Sequence, residues 1–157
     1  MESETSYLDN EHTELLEGMQ NLSACDTEVG HAFKDIARVF SYHLDREEST
    51  VIPLLKYLRR KAEGECESSR ERLLAASENF HVEYDSMLKE HGEIEKLLGS
   101  VESIGVGMER SVSDLIHDLR HHVEIEEEIL YPAALAAGNL FMMEKDSIIQ
   151  KSQSKRD

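Results

Sequence analysis

At 157 residues the chain is long enough for one domain with a substantial core. Its 33 acidic residues against 17 basic ones leave a net charge of −16, a poor footing on a phosphate backbone, which excludes nucleic acid as a partner. Two prolines, eight glycines and no tryptophan, with 39% hydrophobic and 32% charged residues, favour an all-α soluble protein over a sandwich or barrel.

The first twelve residues are acidic and lack the basic and apolar regions of a signal peptide. The least charged stretch, fifteen residues from Ile129, is too short and too interrupted to cross a bilayer. A cytoplasmic location, no membrane partner and reduced Cys25 and Cys66 are therefore expected.

Apolar residues recur in steps of three and four along four segments, the mark of a buried helical stripe. The first runs Leu8, His12, Leu15, Met19, Leu22, and ends near Asp26. The second runs Phe33, Ile36, Phe40, His43, Glu47, Thr50, Leu54, Tyr57, up to a break around Cys66. The third runs Phe80, Tyr84, Met87, His91, Ile94, Leu98, Val101, before Gly105 to Gly107. The fourth runs Met108, Val112, Leu115, Leu119, His122, Glu126, Ile129, Ala133, Ala136. Short connections make neighbours antiparallel, giving an up-down-up-down four-helix bundle built from two repeated helical hairpins.

Every stripe holds a histidine. In an antiparallel hairpin, residues equally far from the turn share a height, and the midpoints of His12/His43, His43/His91 and His91/His122 fall in the three expected turns. A step of 79 residues carries His12, His43, Glu47 and Pro53 onto His91, His122, Glu126 and Pro132. Positions i and i+4 lie on one helical face, so each hairpin aims two imidazoles and one carboxylate inward. Unpaired buried carboxylates cost roughly several kcal/mol each, a penalty that a cation removes. Imidazole with carboxylate suits iron, manganese or zinc, and six donors exceed the needs of one tetrahedral zinc. Two metals bridged by Glu47 and Glu126 would each take two histidines and remain open to a small ligand.

The order His, His-x-x-x-Glu, His, His-x-x-x-Glu, closed by "EEILYP", resembles the hemerythrin-like, or HHE cation-binding, family of non-haem di-iron bundles. The resemblance runs from His12 to Pro132. It implies His12, His43, His91 and His122 as terminal iron ligands, Glu47 and Glu126 as bridging carboxylates, and two iron ions, with manganese or zinc as alternatives. It also implies binding of or reaction with dioxygen, nitric oxide or peroxide, or iron handling under oxidative or nitrosative stress. The alternative is an iron- or oxygen-sensing or iron-donating module without turnover, serving an iron recipient or signalling protein as a monomer or weak homodimer. Oxygen-carrying members have a fifth histidine four residues after the first histidine of the third helix, where this chain has Glu95. The symmetric ligand set is closer to the repair and sensing branch.

Other candidates are weaker. Glu28/His31 and Glu78/His81 have the Glu-x-x-His spacing of ferritin-like sites, but at about 1.5 Å per residue their heights differ by about 33 Å. His117 and His121 lie off the core stripe, as solvated residues or a surface zinc pair. Glu48 and Glu127 flank the bridging pair as surface acids or partners of an imidazole N–H. Tyr84 is read as a core tyrosine, with radical quenching near the metals as the second reading.

Pro53 and Pro132 should bend their helices. Cys25 and Cys66, separated by the whole second helix, cannot form a disulfide. Gly138 and Asn139 are expected to stop the fourth helix, closing a bundle over residues 1–137. Residues 138–157 would form an extension, partly helical and then disordered. Its Leu140, Phe141, Met142, Ile148 and Ile149 would cover the core where the second and third helices overhang the first.

Overall fold

The computed structural model describes residues 4–65, 69–104 and 109–153, with side chains described from residue 10 to residue 147 within those segments. Expectations for Cys66, Gly105 to Gly107, the side chains of Leu8, Met108, Ile148 and Ile149, and the last four residues lie outside them. The described residues form α1 (Glu4–Ser23), α2 (Glu28–Ser49), α3 (Val51–Ala62), α4 (Arg70–Ile104), α5 (Arg110–Ile125), a π-turn (Glu126–Leu130) and α6 (Tyr131–Gln153). They group into two compact units, one of residues 1–46 and 85–127, the other of residues 47–84 and 128–157.

The first unit is an antiparallel four-helix bundle. Leu15 and Met19 of α1, Phe33, Ile36 and Phe40 of α2, Ile94 and Leu98 of α4, and Leu115 and Leu119 of α5 share one buried core. Burying each large side chain contributes about 1.5–3 kcal/mol, which sets the stripes face to face. The pairings run in opposite directions. His43 meets Glu90 while Arg46, one turn later, meets Ser86. His91 meets Glu127, and the later Glu95 and Glu102 meet the earlier Arg120.

The turn between α1 and α2 is tight. The Gly30 N–H donates to the Thr27 hydroxyl at 3.0 Å, capping α2. A Cβ at Gly30 would fall 2.1 Å from the Cys25 carbonyl oxygen, so only glycine allows this approach.

In the second unit α6 packs along α3. The Tyr57 ring meets the Phe141 ring edge-on at 5.7 Å, its hydroxyl donates to Glu144 at 3.0 Å, and Lys61 pairs with Glu144 at 2.8 Å. Phe141 is buried as the covering residue, Met142 is half-buried, and Leu140 is exposed.

Gly138 and Asn139 do not end the last helix; α6 runs through them to Gln153. Gly138 serves packing instead, since a Cβ there would sit 2.8 Å from Ser77 Oγ on α4. The two prolines act differently from simple bends. α2 stops at Ser49, and Thr50 N–H bonds back to the Glu47 carbonyl at 3.2 Å in a tightened turn. This leaves Pro53 in the first turn of α3, where its missing N–H has no helical partner to disappoint. Pro132 likewise has no N–H for the carbonyl four residues earlier, and the chain passes that conflict through the wider π-turn from Glu126 to Leu130. Both motif glutamates therefore stand at a helical irregularity, Glu47 in the last turn of α2 and Glu126 as the first residue of the π-turn.

Candidate metal centre

Helical spacing places His43 and Glu47 on one face of α2, and His122 and Glu126 on one face of α5 continuing into the π-turn. His12 and His91 come from α1 and α4. All six side chains are buried, with exposures from 0% for His43 to 6% for His12. Two sets of donors converge. One atom from each of His12, Glu47, His122 and Glu126 lies within 4.8 Å of the others, and the same holds for His43, His91 and Glu126.

Glu126 belongs to both sets, one oxygen to each. Its Oε2 stands 3.1 Å from His91 Nε2 and 3.5 Å from His43 Nε2. Its Oε1 stands 2.6 Å from His122 Nε2 and 3.8 Å from His12 Nε2. Neither oxygen has a hydrogen bond of ordinary geometry among the described residues. Burial pushes the Glu126 carboxyl up, but the imidazoles of His12, His122, His43 and His91 outweigh burial and hold it well below the usual carboxylate range.

The far side of the rings explains why the near side needs a cation. His43 Nδ1 donates to Glu90 at 3.0 Å and His91 Nδ1 donates to Glu127 at 2.8 Å. With Nδ1 of each ring turned outward to a carboxylate, the two Nε2 atoms face each other at 3.1 Å beside Glu126 Oε2. Three such atoms converging in a buried space need positive charge among them, supplied by protons on the rings or by a metal ion that replaces them. Adjacent ligands of one ion with metal–nitrogen bonds of about 2.0–2.1 Å stand about 3 Å apart, so the residues fit a metal.

Carboxylates behind the rings orient them. Glu127 has the role expected of it, whereas Glu48 is exposed. Glu90 and Glu11 escaped the sequence reading. Arg46 donates to Glu90 beside His43, and Glu11 faces His122 Nδ1 at 3.6 Å. For Glu90, burial pushes the carboxyl up, but His43 and Arg46 outweigh it and hold it below the usual range. Contact with His122 does the same for Glu11. A signal existed in sequence: Glu11-His12 and Glu90-His91 are the same dipeptide, 79 residues apart.

Phe40 forms one wall. Its ring lies 6.3, 6.4 and 5.6 Å from the rings of His12, His43 and His122. A cavity of about 410 Å³ between α1 and α5, lined by Glu11, Glu14, Asp118 and His121 among others, reaches the centre's edge at Glu11.

The remaining candidates stay outside. Glu95 is exposed and bound through both oxygens to Arg120, so the position of the fifth histidine points to the surface. His117 and His121 stack in parallel on the exposed side of α5. His31 is exposed and paired with Asp26, and His81 is exposed. Tyr84 is half-buried against the rings of Phe80 and Tyr131 in the second unit. Cys25 is an exposed free thiol. Among the described residues no helix is long and apolar enough to cross a membrane.

The family described as the hemerythrin HHE cation binding domain matches residues 3–134. No curated protein and no solved structure matches the chain.

Proposed function

Because the chain belongs to the hemerythrin HHE cation-binding family, we propose that it is a non-haem di-iron protein that binds or reacts with a small oxidant. In this reading His12, His43, His91 and His122 would be the terminal ligands, with Glu126 offering an oxygen to each set and Glu47 as the second carboxylate. The oxidant is dioxygen, nitric oxide or hydrogen peroxide, met while handling iron under oxidative or nitrosative stress. A cytoplasmic setting, and a monomer or weak homodimer serving an iron-recipient or signalling protein, belong to the same proposal.

The observation that carries it is the meeting of His43 Nε2, His91 Nε2 and Glu126 Oε2 within 3.1 to 3.5 Å, with both Nδ1 atoms directed to carboxylates outside. A di-iron pair would supply redox chemistry that imidazole and carboxylate lack. The chain's own groups do the rest. Glu90 and Glu127 fix the ring tautomers, and Glu126 offers one oxygen to each donor set. Phe40 and the core around it exclude bulk water. The outward turn of Glu95 leaves each set with two histidines, which supports reaction or sensing over reversible carriage.

The test is exposure of the ferrous protein to limiting and then excess hydrogen peroxide or nitric oxide, with consumption followed over many equivalents. Multiple turnovers support a scavenger or enzyme. A single stoichiometric event that changes metal retention or partner affinity supports the sensing or iron-donating module instead.

A further inference from the structure

The 79-residue step relates Glu11, His12, His43, Glu47 and Glu48 to Glu90, His91, His122, Glu126 and Glu127, but it takes Arg46 to Ile125. The repeat is broken at a charge beside the centre. Arg46 is well anchored: it donates to Glu90 and, at 3.3 Å, to Ser86 Oγ, and its guanidinium lies 5.5 Å from the centre of the Tyr42 ring. The side chains of Arg46 and Glu90 are only 13% and 12% exposed, so solvent screens them weakly. On the other side Glu11 faces His122 Nδ1 at 3.6 Å, and the repeat offers uncharged Ile125 where Arg46 would stand.

A carboxylate behind a ligating imidazole strengthens the ring as a donor. A guanidinium on that carboxylate takes up its charge and weakens the effect. A cation held by His43 also meets the positive charge of Arg46 across a poorly screened interior. The two effects have the same sign, and both act on the donor set of His43.

We propose that Arg46 makes the two cation positions unequal, so that the His12/His122/Glu126 position fills first and the His43/His91/Glu126 position second and more weakly. This rests on the two-cation reading above. The second ion is then the exchangeable one, and Arg46 is a positioning residue that acts through Glu90.

Titration of the metal-free full-length chain with Co²⁺, followed by calorimetry and by visible absorption, tests the order. Wild type should take up two equivalents in two resolved steps. Arg46→Ile, the residue that the repeat itself supplies, should tighten the second step about tenfold and leave the first unchanged. Arg46→Lys keeps the charge and should keep the steps apart, while Glu90→Gln should weaken the second step alone. Far-UV circular dichroism checks folding, and if Arg46→Ile does not fold, Arg46→Gln gives the same readout. Two equal steps in wild type, or a neutral Arg46 variant that leaves the second step unmoved or weaker, would overturn the proposal while leaving the two-cation reading intact. Uptake of fewer than two equivalents by wild type would overturn both.

Discussion

His43 and His91 turn their Nε2 atoms toward each other at 3.1 Å while their Nδ1 atoms face Glu90 and Glu127 at 3.0 and 2.8 Å. Two rings locked from behind and opposed in front make a receptor for positive charge. Replacing one ring removes a donor from one set only. His43→Ala should therefore bind about half the metal of wild type, measured by plasma mass spectrometry on protein purified without chelator. Unchanged metal content would count against the ligand assignment.

Glu126 offers an oxygen to each set. Glu126→Gln should lose both equivalents where His12→Ala or His43→Ala loses one. Equal losses in the three variants would show that Glu126 is not shared.

Phe40 is fully buried against three of the four imidazoles. Phe40→Ala should cost about 3–5 kcal/mol in urea unfolding of the metal-free protein, as large-to-small core changes do. A cost below about 1 kcal/mol would mean that the wall does not support the rings.

Acid should release metal before it unfolds the chain. Imidazole ligation competes with protons, so affinity falls as pH falls. The Glu126 carboxyl is held well below its usual range, so its stabilising contribution is fully present above the unfolded value of about 4.3 and is lost only as pH falls through the lower folded value. Metal release, read with a colorimetric chelator, should therefore be complete at a higher pH than the loss of far-UV circular dichroism. Coincident transitions would contradict this.

Glu95 is turned to the surface and held by Arg120. Glu95→His should therefore add no ligand, leaving metal stoichiometry and optical spectrum unchanged, and should cost less than about 1 kcal/mol, as exposed ion pairs do. A new absorption band in the loaded variant would show that α4 presents this position inward.

The helical stripes as far as Glu126, their antiparallel order and the 79-residue repeat were legible because buried apolar residues keep a 3.6-residue period. Past Glu126 the expected stripe of Ile129, Ala133 and Ala136 was wrong, because the π-turn rotates the face and buries Tyr131, Ala134 and Ala137 while Ile129 and Ala136 are exposed. The inward glutamates of the two His-x-x-x-Glu motifs share that face, which made the candidate site legible as well. Glu90 and Glu11 were not, because each sits one residue off the stripe and gains meaning only from a ring on another helix. Glu127 was within reach because its neighbour Glu126 had already been singled out. Gly138 misled because glycine marks both helix ends and close helix contacts, and the Ser77 side chain that decides between them is 61 residues away. The π-turn carries no local signature apart from Pro132.

Metal analysis with an optical spectrum, on protein purified aerobically without chelator, tests the central claim most directly. The account predicts about two irons per chain and the near-ultraviolet bands of an oxygen-bridged ferric pair. One equivalent of zinc with no iron would contradict it.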